Sequence, residues 1–378
     1  MFNIHDINRD EMMLRGGFRS QGYDWWWHSF TGVNEKTGKE RAFFIEFFLC
    51  NPALAEDGPV LGQLPENRLS AKRPSYLMVK AGSWGDGKAQ LHRFFPRKDT
   101  EIHENAPYSI KAGDCYASEN CLKGSVSISR EEAEAHPEYM CDSGEMSWEL
   151  EVSKIIAFNV GYGASRLLRR IEAFEMYWHA EGMKTAFNGT VVYNGEKYKV
   201  TPENCFGYSD KNWGRNFTSP WVWLSSNCME SIKTGRVLEN SVFDIGGGCP
   251  RVYCVPLKRK LLGAFYYEGE EYEYNFSKFW MLPRTRFESK ESETRVYWHI
   301  RQENLDSVMD TKIICDKKDM LMVNYEAPDG SKRHNRLWNG GNGRGRIRLY
   351  KKNKGSLELI DDIKVSHVGC EYGEYCEG

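Results

Sequence analysis

Along most of the chain apolar and polar residues alternate over short stretches separated by Gly-, Asn- and Pro-containing turns, the period of β-strands. Tyr23-Asp-Trp-Trp-Trp-His-Ser-Phe30 is the first such stretch; as a strand it sets Trp25 and Trp27 on one face and Asp24, Trp26 and His28 on the other. Asn34-Glu-Lys-Thr-Gly38 predicts a turn, and Arg41–Cys50 a return strand that is apolar on both faces except at Glu46. An unpaired carboxylate there is costly to bury, so Glu46 is either an edge or ion-paired residue or part of a site. Residues 51–73, rich in Pro, Gly and charge, predict a lid or rim. Tyr76–Lys80 and Lys88–Phe95 flank a hairpin turn at Trp84-Gly-Asp-Gly87, and strands are expected at Gly124–Ser129 and Met146–Val152. Residues 130–139 form a charged insertion and candidate helix, and Ser165–Glu175 has the spacing of a short amphipathic helix capped by Ser165. Asn194-Gly195 predicts a two-residue hairpin within Thr190–Val200.

The second half repeats the theme. Trp221-x-Trp223 answers Trp25-x-Trp27, and Ser241–Ile245 answers the strand around Phe43. Strands are expected at Leu261–Tyr267, Glu271–Phe279, Glu293–Ile300, Asp310–Cys315, Leu321–Tyr325, Arg344–Tyr350 and Leu357–Val365, and Gly340-Gly-Asn-Gly-Arg-Gly345 reads as a loop bending at a rim. Two similar meanders predict an all-β protein of two antiparallel β-barrel or curled-sheet domains with one or two short helices. The expected domains are residues 1–200 and 201–378.

Between the halves lies the densest block, Gly207-Tyr-Ser-Asp-Lys-Asn-Trp-Gly214 followed by Phe217-Thr-Ser-Pro-Trp-Val-Trp-Leu-Ser-Ser-Asn227. If Tyr208–Asn212 is extended, Tyr208, Asp210 and Asn212 share one face and Ser209 and Lys211 the other. Trp213, Trp221 and Trp223 then resemble the wall of an apolar cavity with a polar group projecting into it. Burial among aromatic rings raises the pKa of a carboxyl, and a neutral carboxylic acid can protonate an alkene or a carbonyl. The competing reading makes Asp210 a turn residue bonded to backbone amides before Gly214. His179, in Trp178-His-Ala-Glu181, is either a hydrogen-bonded core residue or a donor to a substrate oxygen.

Composition narrows the classes. The 378 residues carry a formal charge of −2, which offers no electrostatic case for nucleic acid. The mean hydropathy is −0.62 and no apolar run approaches a membrane span, so no integral membrane segment is expected. Met1-Phe-Asn-Ile-His-Asp6 lacks a basic segment followed by an apolar one, so no export signal is expected and the expected location is cytoplasmic. The 11 cysteines lack Cys-x-x-Cys spacing, and no two of the 9 histidines have metal-site spacing, so neither disulfides nor a metal is expected. No Gly-x-Ser-x-Gly elbow or phosphate-binding loop occurs.

Asp210-Lys-Asn-Trp-Gly214, the following Trp221-x-Trp223 and the nearby Asn227 resemble the signature of the tocopherol cyclase family. More distantly the chain is similar to the carotenoid hydratases and the lipocalin-like pericyclases, a resemblance that implies two lipocalin-like (calycin-like) barrels. It further implies an enzyme without cofactor that acts on a hydrophobic small molecule held in a barrel, by cyclisation, hydration or isomerisation at a double bond. On this reading Asp210 is the acid, Tyr208 and Asn212 orient a substrate oxygen, and Trp25, Trp27, Trp213, Trp221 and Trp223 line the cavity. Glu46, His179 and Asn227 complete the candidate substrate-binding set, with Glu46 the alternative acid. Two other classes fit the same residues: a non-catalytic carrier of an apolar ligand, and a carbohydrate-binding β-sandwich with exposed Trp rows. The sequence leaves the oligomeric state open.

Overall fold

The computed structural model describes residues 10–158, 171–252, 255–276 and 278–373. The first half forms β1 (Tyr23–Asn34), β2 (Glu40–Cys50), β3 (Tyr76–Ser83), β4 (Ala89–Phe95), β5 (Thr100–His103), β6 (Ser109–Ala112), β7 (Cys115–Ser118), β8 (Cys121–Ile128), β9 (Gly144–Phe158), β10 (Met176–Tyr193), β11 (Glu196–Val200) and β12 (Gly207–Gly214). The second half forms β13 (Trp221–Ser226), β14 (Cys228–Ser231), β15 (Val242–Gly248), a small ribbon of β16 (Arg251–Val252) and β17 (Val255–Pro256), then β18 (Lys260–Tyr267), β19 (Glu270–Tyr274), β20 (Arg284–Glu291), β21 (Arg295–Glu303), β22 (Ser307–Asp316), β23 (Met320–Glu326), β24 (Lys332–Asn353) and β25 (Ser356–Gly373). Among the described residues helices are confined to short pieces, α1 (Pro65–Leu69) and α2 (Arg130–Ala135), plus single 3-10 turns. The Ser129 side chain caps α2 by accepting from the Glu132 amide at 3.0 Å.

The strands make an antiparallel 12-stranded sheet from β1–β12 and an 11-stranded sheet from the second half, so the all-β, two-sheet architecture with short helices is what the chain adopts. Expected hairpins recur at their turn residues. Asn194 and Gly195 both take positive φ, 48° and 78°, and pair Tyr193 with Glu196, the geometry that a two-residue turn needs to match strand twist. The helix expected at Ser165–Glu175 lies largely outside the described residues; its tail, 171–175, is a turn with one bridge from Phe174 to Val252. The chain passes from the first sheet to the second between Gly214 and Trp221, later than residue 200, because β12 pairs with β1 and β10.

Each sheet curls round its own apolar filling. Trp26, Phe43, Phe47, Val79 and Phe187 belong to the first interior, and Val222, Phe243, Trp298 and Ile347 to the second. Burial of such side chains contributes roughly 1.5–3 kcal/mol each. A third cluster lies between the sheets: Trp27, Phe44, Trp84 and Trp178 from one side meet Trp221, Trp223 and Tyr325 from the other. The glycine run at 340–345 is therefore not a rim loop. It lies inside β24, with register shifts at Gly340/Gly343 and Gly343/Gly345, and a Cβ on Gly341 would stand 2.5 Å from Trp84 Cε3. Gly341 lets the two sheets approach, while Gly340, Gly343 and Gly345 make room for neighbours within the second sheet. No helix among the described residues is long and apolar enough to cross a membrane.

Candidate active site

The alternation in β12 divides its residues between two environments. Tyr208, Asp210 and Asn212 face the space between the sheets, while Lys211 and Trp213 face the interior of the first sheet, where Lys211 pairs with Asp24 and Trp213 stacks on Tyr177 at 5.6 Å. β1 and β10 flank β12 and bring Trp25, Trp27 and Trp178 to its outer face. The second sheet contributes Trp221 and Trp223 from β13, Asp244 from β15, Tyr325 from β23, Asn339 from β24 and Glu371 from β25. The site is thus formed by the outer faces of two curled sheets, not by the inside of a barrel, because both interiors are filled with their own apolar side chains.

Asp210 is 7 % exposed. Its Oδ2 accepts from Trp178 Nε1 at 2.7 Å and lies 3.2 Å from the Tyr208 hydroxyl, while Oδ1 has no hydrogen-bond partner among the described residues. Burial pushes its pKa well above the carboxylate range, and the nearby Glu371 and Glu181 charges add to the rise against the opposing effect of its donors. Asp244 accepts from Trp223 Nε1 at 3.1 Å and from Tyr208 at 3.0 Å, and burial raises it likewise. Glu371 accepts from Trp221 Nε1 at 2.8 Å and from Asn339 Nδ2 at 2.5 Å, and is pushed by burial to about 7. Asn339 in turn accepts from Trp84 Nε1 at 2.7 Å. Glu46, fully buried opposite Trp27, pairs with Lys80 at 3.0 Å, and the Lys80 ammonium lies 4.0 Å from the Tyr325 ring centroid. Burial raises Glu46 while Lys80 opposes the rise.

These carboxyls sit beside a wall of rings. Tyr23 and Phe217 are 4.4 Å apart between centroids, Trp25 and Tyr325 5.3 Å, and Phe217 and Tyr325 5.4 Å. Tyr23 donates to Asn212 Oδ1 at 2.5 Å. Three donors have no hydrogen-bond partner among the described residues: Trp25 Nε1, Trp27 Nε1 and Asn212 Nδ2. A buried N–H without a partner is costly, so donors left this way beside an acid fit a ligand oxygen. A narrow cleft with a volume of about 20 Å³ reaches Tyr208 and Trp223 from half-buried Phe206 and His367, whose rings stack at 4.2 Å.

Of the residues singled out from sequence, Asp210, Tyr208, Asn212, Trp25, Trp27, Glu46, Trp221 and Trp223 meet in this space. Trp213 and His179 do not: one-residue alternation turns them into the first sheet's interior, His179 paired across the ladder with Lys211. Asn227 bridges strands instead, its Nδ2 donating to Gly207 O at 2.8 Å and Met183 O at 3.3 Å. Asp244, Glu371, Asn339 and Trp178 were missed. Asp244 carried a readable signal, a carboxyl inside the apolar run Val242-Phe-Asp-Ile245, as Glu46 does in β2. Glu371 and Asn339 lie far along the chain, and only sheet pairing brings them together. No group of three or more His, Cys, Asp or Glu side chains among the described residues is placed to hold a metal ion.

The indole that holds Asp210 depends on a bare backbone opposite it. A Cβ at Gly246 would stand 2.6 Å from Trp178 Cζ3. Gly246→Ala is expected to tilt Trp178 away from Asp210 and to cost about 1–3 kcal/mol by overpacking. Thermal unfolding together with the Trp emission spectrum checks this; an unchanged spectrum and Tm would mean that the contact is slack.

An acid held in an aromatic space between two curled antiparallel sheets defines the class of protein. A family model described as tocopherol cyclase-like matches residues 104–374, and the chain belongs to that family. It is 28 % identical over 144 residues to "Probable tocopherol cyclase, chloroplastic" of Oryza sativa subsp. japonica, covering 36 % of this chain and 26 % of that protein. It is 32 % identical over 108 residues to "Tocopherol cyclase, chloroplastic" of Zea mays, covering 27 % of this chain and 20 % of that one. The matched stretches thus span about a quarter or less of these relatives. Among solved structures, kievitone hydratase from Nectria haematococca aligns over 97 % of this chain and 95 % of its own, at a TM-score of 0.43 and 11 % identity.

Proposed function

We propose that the protein is a cyclase- or hydratase-type enzyme that acts on a hydrophobic, oxygen-bearing small molecule by adding a proton from Asp210 to a carbon–carbon double bond. The observation that carries this reading is a buried carboxyl, raised in pKa, whose Oδ1 has no partner among the described residues and which stands in an aromatic enclosure. The proton forms a C–H bond at one alkene carbon. Positive charge develops at the other, where the ring faces of Trp25, Trp27, Trp221, Trp223 and Tyr325 attract it. An oxygen then closes on that carbon, either the substrate's own hydroxyl or water, and its proton passes to an ionised carboxyl of the site. In this scheme Asn212 Nδ2 and the indole N–H groups of Trp25 and Trp27 hold the oxygen, and Tyr208 steadies the acid. Membership of the tocopherol cyclase-like family supports the reading. The reaction as written needs no cofactor.

The test is incubation of the purified protein with prenylated phenols and terpenoids in deuterated water, with products followed by mass spectrometry. An altered product carrying one non-exchangeable deuterium is expected. A compound that quenches Trp emission and is recovered unchanged across the panel would instead make the protein a carrier.

A further inference from the structure

Tyr208 Oη lies 3.2 Å from Asp210 Oδ2 and 3.0 Å from Asp244 Oδ2. A phenol brings one proton to these two contacts, and two full oxygen-to-oxygen hydrogen bonds would use two. The other close neighbours cannot supply the second or accept it: the Trp178 and Trp223 indoles only donate, to Asp210 Oδ2 at 2.7 Å and Asp244 Oδ1 at 3.1 Å. A proton held on one carboxyl satisfies both contacts and removes the repulsion between two buried carboxylates. We propose that Asp210 and Asp244 share one acid proton through Tyr208, and that Asp244 is the positioning residue that decides whether Asp210 stands as an acid or as a base. This rests on the reading of Asp210 as the proton donor.

The two states differ by a shift of hydrogens along one chain of oxygens. With the proton on Asp244, its hydroxyl donates to Tyr208, Tyr208 donates to Asp210 Oδ2, and Asp210 is ionised with Oδ1 turned to the site. With the proton on Asp210, Tyr208 donates to Asp244, which is ionised. The trio carries one negative charge in both, and no atom is gained or lost. A half-turn of the Asp210 carboxyl presents its proton to the alkene; the trio then carries two negative charges against one positive charge on the substrate, and the proton shed by the closing oxygen onto Asp210 restores the single negative charge without exchange with bulk water.

The surroundings oppose ionisation of both carboxyls together. Glu371 and the Glu46–Lys80 pair face the same space with Tyr325, and Glu181 lies behind β12. Lys80 is engaged by Glu46, and Lys211 and Lys154 lie on the far face, engaged by Asp24 and by Asp10 and Glu181. Burial raises both members of the pair, in keeping with one retained proton.

Infrared difference spectroscopy of protein with carbon-13-labelled aspartate, titrated over pH, tests the proposal in wild type, Asp244→Asn and Tyr208→Phe. Wild type is expected to keep the carbonyl stretch of a protonated aspartic acid through neutral pH. In Asp244→Asn the amide carbonyl accepts from Trp223 and its N–H₂ donates to Tyr208, so Tyr208 donates to Asp210 permanently. The midpoint of the protonated band should then fall by at least about one pH unit, and kcat at pH 7 by at least about tenfold. Activity should recover as pH is lowered, with KM within about twofold. An unchanged band midpoint in both variants would overturn the proposal, as would a pH-independent loss of kcat accompanied by a raised KM. Should Asp244→Asn not fold, Tyr208→Phe reads the same coupling: two separate titrations are expected, and an unaltered one overturns it. A shared proton seen alongside an Asp210→Asn protein of full activity would sink the catalytic reading alone.

Discussion

Asp210→Asn should lower turnover by about 10²–10⁴-fold, the usual contribution of a positioned general acid. Affinity for the ligand should change little, because the amide has nearly the shape of the carboxyl and its oxygen still accepts from Trp178. What it lacks is a proton that can leave. The contribution of Asp210 is thus confined to the transition state, and kcat and kcat/KM should fall together. Steady-state kinetics on a prenylated phenol that wild type converts, with Trp-quench titration of the same compound, provide both readouts. Retained turnover in Asp210→Asn would remove the acid from the mechanism and direct attention to Glu371, whose pKa of about 7 makes it the next proton-active group in the space.

The largest expected loss of stability lies on the other face of the same strand. Lys211 and Asp24 are both fully buried and paired, and the Lys211 ammonium lies 3.6 Å from the Trp26 ring centroid. Burial drives both members toward neutrality, with Asp24 raised to about 6 and Lys211 lowered. Lys211→Met leaves Asp24 without its counter-charge and should cost about 3–5 kcal/mol at neutral pH. The sign of the pH dependence follows from proton counting. A carboxyl raised in the folded state holds a proton there that the unfolded chain has released, so stability falls as pH rises from 3.8 to the folded pKa. In wild type that window closes near 6; without Lys211 it extends higher. The variant's deficit should therefore be small near pH 4 and grow toward pH 8, as urea unfolding at both pH values would show. A deficit independent of pH would mean that packing on Trp26, not charge, is what Lys211 provides.

Much of the site could be read in advance because strand periodicity assigns neighbours to faces. Tyr208, Asp210 and Asn212 on one face and Trp25 with Trp27 on another followed from alternation alone. The same rule, applied strictly, would have excluded Trp213 and His179, each one residue out of step with its lining neighbours. Asp244 went unremarked although its apolar setting matched that of Glu46. The glycines of β24 read as a loop because composition does not distinguish a bend from close packing within and between sheets.

By itself the sequence determined the all-β class, the hairpins at Asn34–Gly38, Trp84–Gly87 and Asn194-Gly195, and the candidate acid at Asp210. These rest on local preferences, turn chemistry and a period of two, which operate over a few residues. Only the tertiary structure decided that the face carrying Asp210 points between the sheets, that both interiors are already filled, and that Asp244, Glu371 and Asn339 join Asp210. The reason is that alternation says which side chains travel together but not what they will face. That is set by pairings such as Gly340 with Cys370 and by the packing of one sheet on the other, whose free energy comes from surface buried between residues hundreds of positions apart.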